Sequence, residues 1–146
     1  MRASRIIFAI ILPVLMLATA CSPSLHNKVG VEAAMRHYDD LILKLDADAI
    51  SKLFLPDGRL GDIAIGRDSI RLFLLSFKNI KVTSQVSTSD YVKIAGDTAI
   101  QQGKYFQSDL VNGKDSVQVK GTFIVNWQWV KHEGWFIRQI RTSALN

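Results

Sequence analysis

Residues 117–129, VQVKGTFIVNWQW, contain the clearest alternation of apolar and polar side chains in the sequence. One alternate set consists of apolar or small residues: Val117, Val119, Gly121, Phe123, Val125, Trp127 and Trp129. The other set is polar apart from Ile124. Because successive side chains of a strand point to opposite faces, this stretch predicts a long strand with one buried face.

The rest of the C-terminal half has the same period of two. From Lys81 onward we expect antiparallel strands, separated by turns at residues 95–97, 111–114 and 132–134. Asn112-Gly113 is the strongest of these turn signals, since both residues tolerate the left-handed backbone of a tight hairpin. The C-terminal half is therefore predicted to be an antiparallel sheet with one face that must be covered.

The N-terminal half provides three helices as that cover. Apolar residues at helical spacing predict a first helix over residues 29–45. Asp46 is placed to cap a second helix, which Pro56-Asp57-Gly58 is expected to stop. A short strand over residues 59–64 and a third helix over residues 67–78 follow. Helices followed by an antiparallel sheet predict an α+β fold.

Charge and cysteine content exclude several classes of function. The 146 residues carry 18 basic and 13 acidic side chains, a net charge of +5. Without Arg2 and Arg5 of the first 20 residues, 16 basic side chains remain against 13 acidic ones, a net charge of +3. The basic residues are scattered singly, so we expect no nucleic-acid partner. A single cysteine and three histidines without i, i+4 spacing indicate no disulfide and no metal site.

Residues 1–20 are predicted to be a signal peptide. Arg2 and Arg5 precede an apolar segment over residues 6–17, and Ala18-Thr19-Ala20 is a small-residue cleavage site. The apolar segment is 12 residues long, whereas a helix that crosses a membrane needs about 20. We therefore expect this segment to be removed and a domain over residues 29–146 to remain.

Cys21, the sole cysteine, follows the cleavage site directly. Residues 17–21, LATAC, resemble a bacterial lipobox, which implies that Cys21 carries lipid and that the residues up to Lys28 form a tether. Ser22 in place of Asp implies the outer membrane of a Gram-negative cell envelope, with the domain facing the periplasm. Ordinary cleavage, which would leave Cys21 as a free thiol, stays open.

Several phrases within residues 29–146 occur in the order and spacing of a known superfamily. They are residues 46–54 (DADAISKLF), 56–58 (PDG), 66–70 (GRDSI), 96–99 (GDTA), 103–105 (GKY), 121–123 (GTF) with Trp127, and 134–137 (GWFI). In these phrases the domain resembles the NTF2-like superfamily, specifically its SnoaL-like and DUF4440-type branches. The resemblance implies a cone, in which three N-terminal helices pack on a strongly curved antiparallel sheet and leave a pocket between them.

A distant similarity to ketosteroid isomerase within this superfamily implies catalytic roles for two residues. Tyr38 falls at the position of the hydrogen-bonding tyrosine on the first helix, and Asp62 falls at the position of the proton-shuttling base. Gly121 stands where the second aspartate of that site belongs, so the implied site is incomplete. It stays open whether Tyr38 instead fills the core and Asp62 is a solvated carboxylate.

We expect an apolar pocket with a few polar groups, the usual form of a ligand site. The predicted lining residues are Tyr38, Asp62, Phe73, Phe77, Gln101, Tyr105, Phe123 and Trp127. The large side chains at these positions leave open whether the cone is hollow or filled. The expected function is a lipid-anchored envelope module that binds a small apolar ligand or a protein partner, without catalysis and without a cofactor.

Two other functions stay open from the sequence. An acid–base enzyme of the ketosteroid isomerase or SnoaL type would use Asp62 and Tyr38, whereas a structural subunit would serve only to form oligomers. Trp127 and Trp129 occupy consecutive positions on one face near the end of a predicted strand. Because the superfamily pairs through sheet faces, these tryptophans favour a homodimer.

Overall fold

The computed structural model describes residues 25–145, and the predicted signal peptide and Cys21 lie outside them. The elements in chain order are α1 (Lys28–Lys44), α2 (Ala47–Lys52), β1 (Phe54–Leu60), β2 (Ala64–Ile65), α3 (Arg67–Leu75), β3 (Ile80–Ala95), β4 (Thr98–Val111), β5 (Asp115–Val130) and β6 (Gly134–Ala144). The α+β fold is confirmed, with the helices packed on a curved sheet that does not close on itself.

The strands lie in the order β2-β1-β6-β5-β4-β3. The predicted antiparallel run from β3 to β6 is confirmed, with turns at residues 96–97, 112–114 and 131–133. One pair outside that run is parallel, since β1 runs parallel to β6. Parallel neighbours need a long crossover connection, and the chain between β1 and β6 provides one.

Local side chains set the helix ends. The side chain of Asn27 accepts a hydrogen bond from the Gly30 N–H (3.0 Å), and that of Asp46 accepts one from the Ala49 N–H (2.9 Å). Each acceptor satisfies an orphan donor of a helix start, so the predicted cap at Asp46 is confirmed. Leu45 has a left-handed backbone (φ 47°) that ends α1.

The segment after α2 differs from the prediction. The helix ends at Lys52, and both Phe54 and the Pro56-Asp57-Gly58 stretch belong to β1. The pairing of β1 with β6 shifts register between Phe54 and Arg59. Proline has no N–H to donate to a neighbouring strand, so it is tolerated within such an irregular stretch.

Two further boundaries are corrected. The predicted strand over residues 59–64 is interrupted by a turn at residues 61–63, because Gly61 takes a left-handed backbone with φ 55°. The third helix ends at Leu75 rather than at residue 78. There the Ser76 Oγ donates to the Phe73 carbonyl (2.6 Å) and closes the last turn.

Two glycines make room for aromatic rings on the inner face of the sheet. Gly103 is paired with Phe123, and Gly121 is paired with Tyr105, across β4 and β5. A Cβ on Gly103 would lie 2.8 Å from Phe123 Cζ, and one on Gly121 would lie 2.6 Å from Tyr105 Cζ. Each ring thus covers the glycine opposite to it, an arrangement that stabilises curved strands.

The described part of the predicted tether is docked on the domain. Trp135 Nε1 donates to the Leu25 carbonyl (3.0 Å), and His26 Nε2 donates to the Gly96 carbonyl (3.0 Å). The His26 ring stacks on Trp129, with centroids 4.6 Å apart and planes at 9°. The chain therefore enters the domain at the end of the sheet that carries the β3–β4 and β5–β6 turns.

Candidate functional site

The helices and the inner face of the sheet enclose a cavity of about 360 Å³. Its size is within the range of roughly 300–1,000 Å³ that is usual for small-molecule sites. The apolar wall comes from α1, α3 and the strands β1, β3, β5 and β6, and includes Met35, Ile42, Phe73, Leu74, Val119 and Phe123. The polar wall includes Tyr38, Gln85, Ser87, Tyr105, Gln107 and Asp109.

Five of the eight residues that the sequence placed in the pocket line this cavity: Tyr38, Phe73, Phe77, Tyr105 and Phe123. Phe73 and Phe77 lie four residues apart at the end of α3 and meet edge to face, with centroids 5.0 Å apart. Such a pair packs firmly and presents aromatic surface to the space beside it.

Gln101 and Trp127 are not among the residues that line the cavity. Gln101 is 0% exposed and Trp127 is 2% exposed. The Trp127 Nε1 donates to Gln101 Oε1 (3.0 Å), and the Gln101 Nε2 donates to Ser89 Oγ (2.7 Å). The two side chains satisfy each other's polar groups inside the core, as buried polar atoms must.

Asp62 lies apart from Tyr38. It is exposed in the turn between β1 and β2, and it does not line the cavity, although its neighbour Ile63 does. Asp62 follows Gly61, whose left-handed backbone (φ 55°) belongs to this turn. The geometry therefore does not bring together the acid–base pair that the ketosteroid isomerase resemblance implied.

The sequence interpretation missed the carboxylate that does line the cavity. Asp109 is 8% exposed, and both of its oxygens accept hydrogen bonds from Gln107 Nε2, each at 2.9 Å. Gln107 and Asp109 share a face of β4 with Tyr105, at positions two and four residues further along. The alternation rule applied from Tyr105 would have found both residues.

Tyr38 stays protonated in the cavity. Burial raises the pKa of its hydroxyl, and the negative charge of the neighbouring Asp39 raises it further. Among residues 25–145, no protein group forms a hydrogen bond with this hydroxyl. Tyr38 is thus a neutral hydrogen-bond donor that a ligand in the cavity can use.

Asp39, on the neighbouring position of α1, joins this helix to β3. Its carboxylate accepts hydrogen bonds from Gln85 Nε2 (2.9 Å), the Ser87 N–H (2.8 Å) and Ser87 Oγ (2.8 Å). Gln85 Oε1 is buried and has no hydrogen-bond partner. The network fixes the side chains of Gln85 and Ser87, which both line the cavity.

The two tryptophans that favoured a dimer are engaged within the chain. Trp127 is buried against Gln101, as described above. Trp129 packs between His26 and Trp135, and its ring centroid lies 5.3 Å from that of Trp135. The homodimer stays a prediction, but these side chains are not the exposed surface that it was expected to use.

Residues 25–145 contain neither a membrane-spanning helix nor a group of metal ligands. No helix in this range has the length and apolar character needed to cross a membrane. In the same range, no three or more histidine, cysteine, aspartate or glutamate side chains come together as metal ligands.

Comparison with known proteins shows which fold this is. No family model matches the sequence, and no curated protein is significantly similar to it. A ketosteroid isomerase-like protein from Erwinia carotovora atroseptica superposes with a TM-score of 0.71 at 17% identity, over 81% of this chain and 95% of that one. An NTF2-like protein with a cystatin-like fold, from Novosphingobium aromaticivorans, has a TM-score of 0.67 at 18% identity, over 84% of each chain.

A third solved structure is a protein of unknown function from Mycobacterium tuberculosis. Its TM-score is 0.72 at 15% identity, over 81% of this chain and 76% of that one. At such identities the likeness defines the fold alone. The fold of this domain is NTF2-like, as the sequence resemblance implied.

Proposed function

We propose that this protein is a binding module of the cell envelope, whose cavity holds a small apolar ligand without catalysing a reaction. The observation that supports the proposal most is the cavity of about 360 Å³, with its largely apolar wall. Tyr38 and Tyr105 line it, and neither hydroxyl has a hydrogen-bond partner among residues 25–145. Convergent polar groups in an apolar cavity orient a ligand that the wall binds.

The energy of binding comes from apolar burial. Each Å² of apolar surface removed from water contributes about 25 cal/mol, so a two-ring hydrocarbon gains several kcal/mol before the cost of immobilising it. Phe73, Phe77 and Phe123 supply flat surface for such rings. Hydrogen bonds from the tyrosine hydroxyls then select ligands that carry an acceptor.

A pair of matched variants tests the proposal. Val119 lines the cavity, whereas Val86 on β3 is 54% exposed and does not line it. We expect N-phenyl-1-naphthylamine, a neutral fluorescent probe, to bind saturably to the wild type and to Val86→Trp. Val119→Trp fills the cavity and should abolish binding. Equal binding to both variants would contradict the proposal.

We also propose that the module is anchored by lipid on Cys21. Three residues separate Cys21 from Leu25, the first residue that the structure describes, and four residue steps span at most about 14 Å. The docking site lies at the β3–β4 turn end of the strands, while the cavity is lined by residues such as Asp109 near their other end. An anchored domain would therefore hold its cavity away from the membrane surface.

The anchor has its own test. Cys21→Ser should move the protein from the detergent phase to the aqueous phase, while its thermal unfolding stays unchanged because Cys21 precedes the predicted domain over residues 29–146. A wild-type protein that already partitions into the aqueous phase would refute the anchor and leave the binding proposal standing.

The acid–base enzyme is the second candidate function, and one observation favours a revised form of it. The cavity holds a carboxylate, Asp109, together with the hydrogen-bond donor Tyr38, whereas Asp62 is outside. A carboxylate and a neutral phenol are the groups that enolisation of a carbonyl compound requires. Isomerisation of a model enone that Asp109→Asn abolishes and Asp62→Asn does not would establish this candidate in place of simple binding.

A further inference from the structure

The cavity lining includes an acidic side chain that has no basic partner among the described residues. Asp109 lines it and is 8% exposed, and its one protein partner among the described residues is the neutral amide of Gln107. A carboxylate offers about four lone-pair sites, so two hydrogen bonds leave capacity for a further donor. Within residues 25–145, no lysine, arginine or histidine is among the residues that line the cavity.

A second buried carboxylate lies behind the same wall. Asp39 is 7% exposed and holds Gln85 and Ser87, whose strand positions pair with Gln107 and Tyr105 of the cavity wall. Neither Asp39 nor Asp109 forms an ion pair with any side chain in residues 25–145. Two buried carboxylates without a counter-ion create a negative potential in the cavity, although the whole chain is basic.

A buried carboxylate without a counter-ion is stabilised by a cation that binds beside it. An anionic ligand would be repelled by the same two groups. The apolar wall, in turn, needs an organic body rather than a bare ion to cover it. The ligand that satisfies both halves of the cavity is an apolar molecule with one positive end.

We propose that the cavity binds a small apolar amine in its protonated form, with the ammonium group on Asp109 and the apolar body against Phe73, Val119 and Phe123. This inference rests on the proposed binding function and names the class of its ligand. An ammonium N–H donates to a carboxylate oxygen of Asp109, which has lone-pair capacity beyond the bonds from Gln107, as a charge-assisted hydrogen bond.

A series of three probes with one naphthalene ring separates charge from apolar binding. Isothermal titration calorimetry on the full chain compares 1-naphthylmethylamine, 1-naphthylmethanol and 1-naphthylacetic acid, which are cationic, neutral and anionic at pH 7. We expect the amine to bind about tenfold or more tightly than the alcohol, the scale of one charge-assisted hydrogen bond, and the acid to bind least.

Two matched variants test whether the carboxylate of Asp109 is the group that binds the ammonium. Asp109→Asn removes the cavity carboxylate, whereas Asp115→Asn makes the same change in net charge at an exposed position that begins β5. We expect Asp109→Asn to weaken the amine by about tenfold and leave the alcohol unchanged, a loss typical of one charged hydrogen bond. Asp115→Asn should change neither affinity.

The outcomes distinguish this inference from the proposed function. If the alcohol binds as tightly as the amine in the wild type, the amine proposal is wrong and apolar binding stands. If none of the three probes binds, both proposals are wrong. Should Asp109→Asn fail to fold, the order of the three affinities in the wild type still decides, because it needs no variant.

Discussion

At the scale of single residues, the ionisation of Tyr38 sets what the cavity can offer a ligand. A tyrosine hydroxyl with a raised pKa donates a hydrogen bond at every physiological pH and does not act as a base. The charge of Asp39 contributes to this because it disfavours a second negative charge beside it. Tyr38 is therefore a fixed hydrogen-bond donor in the cavity.

Alkaline titration tests this assignment. The neutral form of Tyr38 is favoured in the native state, so its contribution to stability is complete below pH 10 and is lost as the pH rises above that value. Above pH 10 we expect the unfolding free energy of the wild type to fall relative to that of Tyr38→Phe by up to about 1.4 kcal/mol per pH unit. Denaturant unfolding of both proteins between pH 9 and 11.5 measures this difference in unfolding free energy. If the unfolding free energies of the two proteins change equally with pH, Tyr38 does not have a raised pKa.

The lining residues differ in how far the sequence could predict them. Tyr38 and Phe73 lie on apolar stripes of amphipathic helices, so helical periodicity alone indicates an inward position. Asp62, which does not line the cavity, lies in a turn that includes the left-handed backbone of Gly61, and periodicity does not reveal such a turn. Asp109 follows from the alternation of β4, but a carboxylate on an inner face runs against the usual burial pattern.

At the scale of elements, the pairing of Gly121 with Tyr105 decides the shape of the cavity wall. The ring occupies the space above the glycine, so the position that the family resemblance assigns to an aspartate is filled from the neighbouring strand. A side chain at Gly121 would collide with the Tyr105 ring and with the backbone carbonyl of Ser143 on β6. Gly121 is thus required for the cavity wall as well as for the curvature of the sheet.

Substitution of this glycine should affect stability and binding together. We expect Gly121→Ala to lower the unfolding free energy by about 1–3 kcal/mol through overpacking, and to shift the ring resonances of Tyr105. Gly113→Ala is the control, because a Cβ there meets no atom within 4 Å. Alanine in the left-handed backbone of this position (φ 68°) should lower the unfolding free energy by about 1 kcal/mol, but Tyr105 should not move. Unchanged Tyr105 resonances in Gly121→Ala would contradict this account.

Helix and strand positions were largely predictable, whereas one pairing was not. Periodicity and caps located α1, α2 and the β3–β6 meander because those signals are local in sequence. The parallel pairing of β1 with β6 joins residues more than 70 positions apart, such as Phe54 and Ile137. Nothing local indicates such a contact, and Pro56-Asp57-Gly58 reads as a turn unless that pairing is known.

At the scale of the whole molecule, the outer face of the sheet carries the apolar surface that a partner would cover. Val86, Tyr91, Ile100 and Ile124 are exposed, each by between 42% and 54%. They alternate with the buried residues of β3, β4 and β5 and therefore point away from the helices. If the predicted homodimer forms, we propose that it uses this face rather than Trp127 and Trp129.

A charge placed in the middle of this face tests the dimer. We expect the wild type to sediment as a dimer and Ile124→Lys to sediment as a monomer, because two buried lysines would face each other across the interface. Leu72→Lys is the control, since Leu72 is exposed on α3 rather than on the sheet. A wild-type monomer in analytical ultracentrifugation, or a dimer that Ile124→Lys leaves intact, would refute the proposed interface.

The central claim is that the inner cavity, and not the outer face of the sheet, receives the ligand. Isotope-filtered NMR with bound 1-naphthylmethylamine measures this directly, through nuclear Overhauser contacts between the probe and assigned side chains. We predict contacts to Phe73, Val119 and Phe123, which line the cavity, and none to Trp127, which is buried beyond it. Contacts to Ile124 on the outer face, or a saturating probe with no contact to the cavity residues, would contradict the account.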